Sequence, residues 1–134
     1  MNNQQWREWS LQGLHVNLIH FSFTVDIDLM PPFTKIPDAL AIRIGSPFTL
    51  RKASGEVLTL DPEQPQTLCP LLLLLRCSVT LFRASSEGEC QLWFQDETLL
   101  SCLPEDMYEA WSSRGSGALE SANLLCLPGG GPPW

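Results

Sequence analysis

The stretch IHFSFTVDIDL, residues 19–29, alternates between apolar and polar side chains along its whole length. Every odd-numbered position is apolar, and the even-numbered positions hold His20, two hydroxyl side chains, Asp26 and Asp28. A period of two is typical of a β-strand that buries one face and exposes the other. This stretch therefore predicts extended chain with its apolar face toward a core.

The residues before this stretch shift the phase of the alternation. Val16 and Leu18 are apolar on even numbers, whereas the apolar positions are odd from Ile19 onward. One extra residue in a strand, a β-bulge, produces such a shift because it turns every later side chain to the opposite face. We therefore predict one long strand over residues 14–29, bulged where the phase changes and ended by Met30-Pro31-Pro32.

The polar face of this strand carries candidates for chemistry. Asp26 and Asp28 are predicted to lie about 7 Å apart on one side of the strand, and such a pair can bind a divalent cation or act as acid and base. His20 is predicted to be about 20 Å from them along a straight strand, too far to share a ligand. We expect this face to be hydrated, and an enzyme that uses Asp26 and Asp28 is the third of three functional hypotheses.

The rest of the chain consists of short apolar or alternating runs separated by Gly and Pro. Strands are predicted over 6–11, 39–44, 48–50, 57–60, 77–84, 90–95, 98–103 and 124–127, with a Ser/Gly loop at 112–117. Residues 68–75 are apolar without a period, which is compatible with a buried strand or with a short helix that has Pro70 in its first turn. Short strands at this spacing predict a single all-β domain over 1–134, an antiparallel sandwich or a partly open barrel with at most one or two short helices.

Composition favours a reducing, aqueous compartment. The N-terminal MNNQQWREWS does not resemble a signal peptide, and the apolar run at 71–75 is far shorter than the roughly 20 residues of a membrane-spanning helix. The cysteines form no CxxC pair and no zinc-binding spacing, so they are predicted to be reduced and buried: Cys69, Cys77, Cys90, Cys102 and Cys126. We therefore expect a cytoplasmic protein without a cofactor or a metal.

The net charge of −7 comes from one part of the chain. Residues 1–83 contain seven acidic and seven basic residues, whereas residues 84–134 contain eight acidic residues and Arg114 as the one base. Seven of those acids lie between Arg83 and Arg114: Glu87, Glu89, Asp96, Glu97, Glu105, Asp106 and Glu109. An acidic surface repels nucleic acid and anionic membrane and attracts a cationic protein. The alternative is a hydrated face that serves solubility.

The last third of the chain resembles a small bacterial family of unknown function. The resemblance rests on the sequence YEAW at 108–111, CLPGG at 126–130 and a terminal Trp134. It extends more weakly through Trp9, Leu11, Gly13 and Val16, the stretch IRIGSPFTL at 42–50 and the sequence LDPE at 60–63. The family usually has a Gly in the turn that reads Asp96-Glu97 here, and an apolar residue near Pro133. The resemblance implies no activity and no catalytic residues.

Charge and motifs together favour a binding protein. The sequence has no GxSxG, GxxxxGK, GxGxxG or HExxH motif. The first hypothesis is a bacterial immunity protein that neutralises a cationic toxin such as a nuclease, which must be basic to hold its substrate. The predicted partner-binding residues are aromatic side chains set among acids: Glu89, Trp93, Glu105, Asp106, Tyr108, Glu109 and Trp111. The second hypothesis is a structural or assembly module that forms homodimers through a sheet edge.

Overall fold

The computed structural model describes residues 4–31 and 38–134, which form two antiparallel sheets and two short 3₁₀ helices. The elements in this part of the chain are, in order, β1 (Trp6–Ser10), β2 (His15–Phe21), β3 (Val25–Met30), β4 (Ala39–Ile44), β5 (Phe48–Arg51), β6 (Val57–Leu60), η1 (Pro65–Leu74), β7 (Val79–Ser85), β8 (Cys90–Phe94), β9 (Leu99–Cys102), β10 (Trp111–Ser116), η2 (Gly117–Ala122) and β11 (Leu124–Leu125).

The two sheets stack as a sandwich around one core. Six strands form one sheet in the order β1-β7-β8-β9-β5-β6, and five form the other in the order β11-β10-β4-β3-β2. Side chains alternate across each sheet, so the inward positions of both sheets are buried and mostly apolar. The prediction of an all-β antiparallel sandwich is confirmed.

The prediction of one long strand over 14–29 is wrong, because the chain reverses at residues 22–24. β2 and β3 form a hairpin in which Phe21 pairs with Val25 and His20 pairs with Asp26. The hairpin is symmetrical about Phe23, so paired residues are both odd or both even. The alternation therefore continues through the turn without a break, and the turn leaves no trace in the hydrophobic pattern.

The predicted β-bulge is present in β2. The register of the β2–β3 pair shifts between Val16 and Leu18, close to the position at which the sequence changes phase. β3 ends at Met30, as predicted, and Pro31 follows it outside the strand. Pro32, the other residue expected to end the strand, lies outside the described residues.

The Ser/Gly stretch predicted as a loop at 112–117 is mostly strand. β10 lies between β11 and β4, and its pairs with β4 run from Trp111–Ile44 to Ser116–Ala39. A side chain at Gly115 would overlap the carbonyl of Leu119 in η2. The small residue is therefore needed because η2 packs directly on the strand, and tertiary contacts override a composition that is typical of loops.

The apolar run at 68–75 is helical rather than a strand: residues 68–74 belong to η1, and Leu75 follows its end. Its buried side chains are Leu68, Leu71 and Leu74, at a spacing of three residues. This is the period of a 3₁₀ helix, in which residues i and i+3 lie above one another. Leu72 and Leu73 fall between them and are exposed.

Aromatic side chains join the two ends of the chain to the core. Phe82 in β7 contacts Trp9 at a ring-centroid distance of 5.7 Å and Trp111 at 6.2 Å, the latter edge to face. The Arg7 guanidinium lies 4.2 Å from the centroid of Trp134. The terminal segments therefore pack on the same sandwich.

Candidate protein-binding surface

Four segments that follow strands meet at one end of the sandwich, beside the short turns at 22–24 and 45–47. They are residues 61–64 after β6, 86–89 between β7 and β8, 103–110 between β9 and β10, and 126–131 after β11. In an antiparallel sheet, successive connections alternate between the two ends of the strands. The residue pairs at the strand ends show which connections share an end. Leu60 pairs with Phe48, and Cys90 pairs with Cys102. We call these four connections the acidic end.

Backbone hydrogen bonds tie the connections of the acidic end together. The Gly129 N–H donates to the carbonyl of Glu105 at 2.7 Å, and the Gly131 N–H donates to the carbonyl of Glu87 at 3.1 Å. Gly130 has a φ of +86°, and a Cβ there would lie 2.5 Å from the Glu87 carbonyl oxygen. The glycine sequence at 129–131 thus lets the last segment pass close to two other connections.

The acidic end carries carboxylates and no cationic side chain. None of its four connections contains Lys, Arg or His. Its acids are Asp61, Glu63, Glu87, Glu89, Glu105, Asp106 and Glu109. Carboxylates of one sign placed together without counter-charges produce a negative field that extends over about a Debye length, roughly 10 Å at 0.1 M salt.

Loss of hydration and the carboxylates of the acidic end both contribute to a raised pKa of Tyr108. Loss of hydration raises the pKa of its phenol above 10.0, and the carboxylates of Glu105, Glu63 and Asp61 raise it further. Two of these three acids are more than 40 residues away in sequence. The fold therefore concentrates charge from distant segments around one side chain.

Apolar side chains are exposed among the acids. The exposed fractions are 62% for Leu103, 87% for Met107, 43% for Tyr108 and 50% for Leu127. Single exposed apolar residues are ordinary on protein surfaces, but four on the connections of one end provide contact area within the charged surface. Both components of a protein-binding surface, apolar contact and charge, are thus present at the acidic end.

Five of the seven predicted partner-binding residues lie at the acidic end. Glu105, Asp106, Tyr108 and Glu109 are consecutive or nearly so on the connection between β9 and β10. Glu89 lies at its rim, half-buried, where Oε2 accepts a hydrogen bond from the Gln91 side-chain amide at 2.9 Å. The aromatic residues Trp93 and Trp111 are placed elsewhere.

Trp93 was predicted to lie beside the acids of the partner-binding surface, but the structure places it away from them. It lies in β8 on the outer face of the six-stranded sheet, where it pairs with Leu81 and Leu99 near the opposite end of the sandwich. The Arg51 guanidinium carbon is 5.7 Å from its ring centroid, and Arg83 lines the same shallow concavity. The prediction that Trp93 belongs to the acidic surface is therefore wrong.

Trp111 is a core residue and cannot touch a partner in this fold. It is 1% exposed, and its indole Nε1 donates to the Gly88 carbonyl at 2.8 Å. That hydrogen bond connects the turn at 86–89 to the core of the sandwich. Trp111 therefore supports the acidic end without forming part of its surface, which corrects its predicted role as an interface anchor.

Residues Asp61 and Glu63 belong to the acidic end although they were not predicted to do so. They come from the part of the chain whose acids and bases balance, so counting charge along the sequence does not single them out. Conversely, Asp96 and Glu97 belong to the acidic run in sequence but lie in the β8–β9 turn at the opposite end.

The structure brings three ionisable side chains together on the outer face of the five-stranded sheet. The predicted distance of about 20 Å between His20 and Asp26 is wrong because of the β2–β3 hairpin. His20 Nδ1 lies 3.5 Å from Asp26 Oδ2, and Arg43 Nε donates to Asp26 Oδ1 at 2.8 Å. The bond to Asp26 raises the pKa of the Arg43 guanidinium. Within the described residues no group of three His, Cys, Asp or Glu side chains is placed to hold a metal ion.

All five thiols are free, and three of them are buried near the acidic end. Cys90 and Cys102 face each other across β8 and β9, and Ser46 Oγ lies 3.3 Å from Cys102 Sγ. Burial raises the pKa of the Cys90 and Cys126 thiols. Cys69 is exposed, which differs from the prediction that every thiol is buried.

The fold and this surface define a small antiparallel β-sandwich with acidic connections at one end. No described helix is long and apolar enough to cross a membrane. The chain belongs to DUF6188, a family of unknown function, whose model matches residues 7–132. This confirms the expected membership of a small domain family of unknown function. No curated protein and no solved structure matches the chain.

Proposed function

We propose that this protein is a non-catalytic bacterial immunity protein that neutralises a cationic toxin by covering the toxin's basic surface with the acidic end. A nuclease is the toxin class that fits best, because such an enzyme must be basic to hold nucleic acid. Occupying that basic groove excludes the substrate. No cofactor takes part in this mechanism.

The observation that carries the proposal is the set of seven carboxylates on four connections that contain no base. Unpaired charge of one sign is unfavourable for the stability of an isolated protein, because like charges repel one another. The same charge accelerates association with a basic partner, by about 10-fold to 1,000-fold. A binding role accounts for the arrangement better than solubility, which needs no concentration of charge at one end.

The exposed apolar residues support a protein as the partner. Leu103, Met107 and Tyr108 are set among the carboxylates, so a docked protein can bury them while its cations meet the acids. A small cationic ligand would leave most of this apolar surface in water. Residues at the centre of such a patch are expected to slow dissociation, whereas the charged rim is expected to speed association.

The proposed compartment is the cytoplasm. Five free thiols, of which Cys69 is exposed, are compatible with a reducing environment in which disulfides do not persist. An immunity protein that acts there meets its toxin before the toxin is exported or after it enters the cell.

The experiment uses two triple variants that change the net charge equally. One replaces Glu105, Asp106 and Glu109 with lysine at the acidic end. The matched control replaces Glu56, Glu97 and Glu120, three exposed acids at the opposite end, with lysine. Each is used as bait in cell extract, captured proteins are identified by mass spectrometry, and association of the captured partner is then measured as salt is raised.

We expect the wild type and the control variant to capture the same basic protein, and the acidic-end variant to lose it. The association rate of the wild type should fall by about 10-fold or more as salt rises from 0.1 to 1 M, because the Debye length falls from about 10 Å to about 3 Å. An acidic partner, or binding that is indifferent to salt and to the acidic-end substitutions, would contradict the proposal.

The alternative of a homodimer formed through a sheet edge stays a prediction. The edges of the two sheets are β1, β6, β11 and β2. The Leu125 N–H of β11 already donates to the Pro133 carbonyl, and Val16 of β2 exchanges backbone hydrogen bonds with residues 76 and 77. These contacts shorten the free edges, which favours the monomeric binding protein.

A further inference from the structure

The outer face of the five-stranded sheet carries two rows of side chains, each with one aspartate and one arginine. The aspartate and the arginine form an ion pair in the first row but not in the second. The first row runs across the strands through His20, Asp26, Arg43 and Ser112. Its acid and its arginine lie on adjacent strands and form a direct ion pair, with Arg43 Nε 2.8 Å from Asp26 Oδ1. The charges of this row are therefore already compensated.

The second row has the same two charges without an ion pair. It runs through Leu18, Asp28, Ala41 and Arg114. Asp28 and Arg114 are separated by the strand that carries Ala41, so their α-carbons are about 10 Å apart, which is twice the strand spacing. In the part of the chain that the structure describes, neither side chain forms an ion pair or a hydrogen bond.

The two rows form the floor of an open concavity, and the volume of this concavity is about 730 Å³. Ala41 leaves the space between Asp28 and Arg114 open because its side chain is a single methyl group. Apolar side chains from the edges of the sheet, Leu18 and Leu125, line the same concavity together with Pro133. Its volume lies within the range of about 300–1,000 Å³ that small-molecule sites occupy. We call this concavity the sheet groove.

We propose that the sheet groove binds a small zwitterion of the amino-acid type, with its ammonium group on Asp28, its carboxylate on Arg114 and its apolar part against one of the two edge leucines, Leu18 or Leu125. The site is separate from the acidic end, so the inference goes beyond the proposed function and does not depend on it.

The balance of charge in the groove favours a zwitterion over a simple anion or cation. Asp26 and Arg43 compensate each other, which leaves one free acid and one free base. A ligand with one charge would pair with Asp28 or with Arg114 and would partly dehydrate the other without compensation. A ligand with both charges satisfies both side chains at once.

The test titrates the full-length protein with four probes and follows backbone amide shifts by NMR at pH 7. L-leucine and 5-aminopentanoate are zwitterions with short and long charge separation. N-acetyl-L-leucine retains only the negative charge, and L-leucinamide retains only the positive charge. We expect saturable shifts at Asp28, Ala41 and Arg114 with at least one zwitterion, and binding of its singly charged analogue at least about 10-fold weaker, since one charged hydrogen bond is lost.

Two conservative variants identify the side chains that recognise each charge. Asp28→Asn should abolish the preference for L-leucine over N-acetyl-L-leucine, and Arg114→Gln should abolish its preference over L-leucinamide. If 5-aminopentanoate is the better zwitterion, its N-acetyl and amide derivatives replace these probes. The acidic-end triple variant should bind the zwitterion as the wild type does, which separates this test from that of the proposed function.

Either of two results would overturn the inference. One is the absence of saturable shifts in the sheet groove with both zwitterions up to about 10 mM, a range that detects a Kd of about 1 mM. The other is equal binding of the zwitterion and its singly charged analogues.

Discussion

The acidic end and the sheet groove hold charge in opposite ways. At the acidic end, irregular connections from four parts of the chain bring together carboxylates of one sign. In the sheet groove, strand register places acids and arginines in rows, so that charges of both signs alternate across the sheet. Like charges produce a field that acts at a distance, whereas the fields of equal and opposite charges largely cancel beyond contact distance. The first arrangement suits capture of a large charged partner, and the second suits recognition of a small ligand.

The largest expected effect concerns the support of the acidic end. Trp111→Ala should lower the free energy of unfolding by about 3–5 kcal/mol, because it removes a large buried side chain and the hydrogen bond to Gly88. Tyr108→Ala should change it by about 0.5 kcal/mol or less, since Tyr108 is 43% exposed. Urea denaturation of both variants measures the difference. Equal losses would mean that Tyr108 also belongs to the core and that the acidic end has no aromatic contact surface.

A smaller effect tests how the connections of the acidic end are joined. Gly129 and Gly130 have similar positive φ values, +82° and +86°. A side chain at Gly129 meets no atom within 4 Å, whereas one at Gly130 meets the Glu87 carbonyl. Gly129→Ala should therefore cost about 1–2 kcal/mol from backbone strain alone.

Gly130→Ala should cost about 1–3 kcal/mol more than the Gly129→Ala control, because the last segment must move away from the turn at 86–89. Thermal or urea unfolding of the two variants gives the comparison. If both variants lose the same amount of stability, the close approach of 126–131 to the β7–β8 turn does not contribute to holding the acidic end together.

The smallest effect is on the titration of Tyr108, which is the single tyrosine of the chain. Its pKa is raised by loss of hydration and by Glu105, so Glu105→Gln should move it back toward 10.0. Asp28→Asn in the sheet groove is the control and should leave it unchanged. The near-ultraviolet absorbance of the phenolate measures both pKa values directly.

The same shift has a defined consequence for stability. A tyrosine whose folded pKa is raised contributes stability that is fully present below its unfolded pKa and is lost as pH rises through the folded pKa. Unfolding monitored above pH 10 should therefore show a smaller loss of stability for Glu105→Gln than for the wild type. An unchanged loss would mean that the carboxylates of the acidic end do not act on Tyr108.

The alternation of side chains predicted the sandwich but hid one of its turns. Most of the strands are short and periodic, so the all-β class followed from pattern alone, whereas β10 was predicted as a Ser/Gly loop. The β2–β3 turn has no Gly, Asn, Asp or Pro, and its symmetry about Phe23 preserves the parity of the alternation. Only the pairing of the two strands places His20 beside Asp26, and pairing is not a local property of the sequence.

The candidate surface was predictable only where its residues share one connection, because strand order decides which other connections lie beside it. Glu105, Asp106 and Glu109 share one connection, so their proximity follows from sequence distance. Asp61 and Glu63 reach the same end because β6 runs back toward it, and Asp96 leaves it because β8 spans the sheet. Trp111 is buried three residues after the exposed Tyr108 because β10 begins there and turns its ring inward. Which end a connection occupies depends on the order of strands in the sheet, and composition does not encode that order.

The glycine segment at 129–131 also affects the entropy of any association at the acidic end. Its N–H groups fix the carbonyls of Glu105 and Glu87, so the two connections that carry most of the carboxylates are ordered before a partner arrives. A surface composed of free loops would lose about 1–2 kcal/mol for each residue that becomes ordered on binding. Because this ordering takes place during folding, a partner meets a shape that is already formed, and less of the contact energy is consumed in organising it.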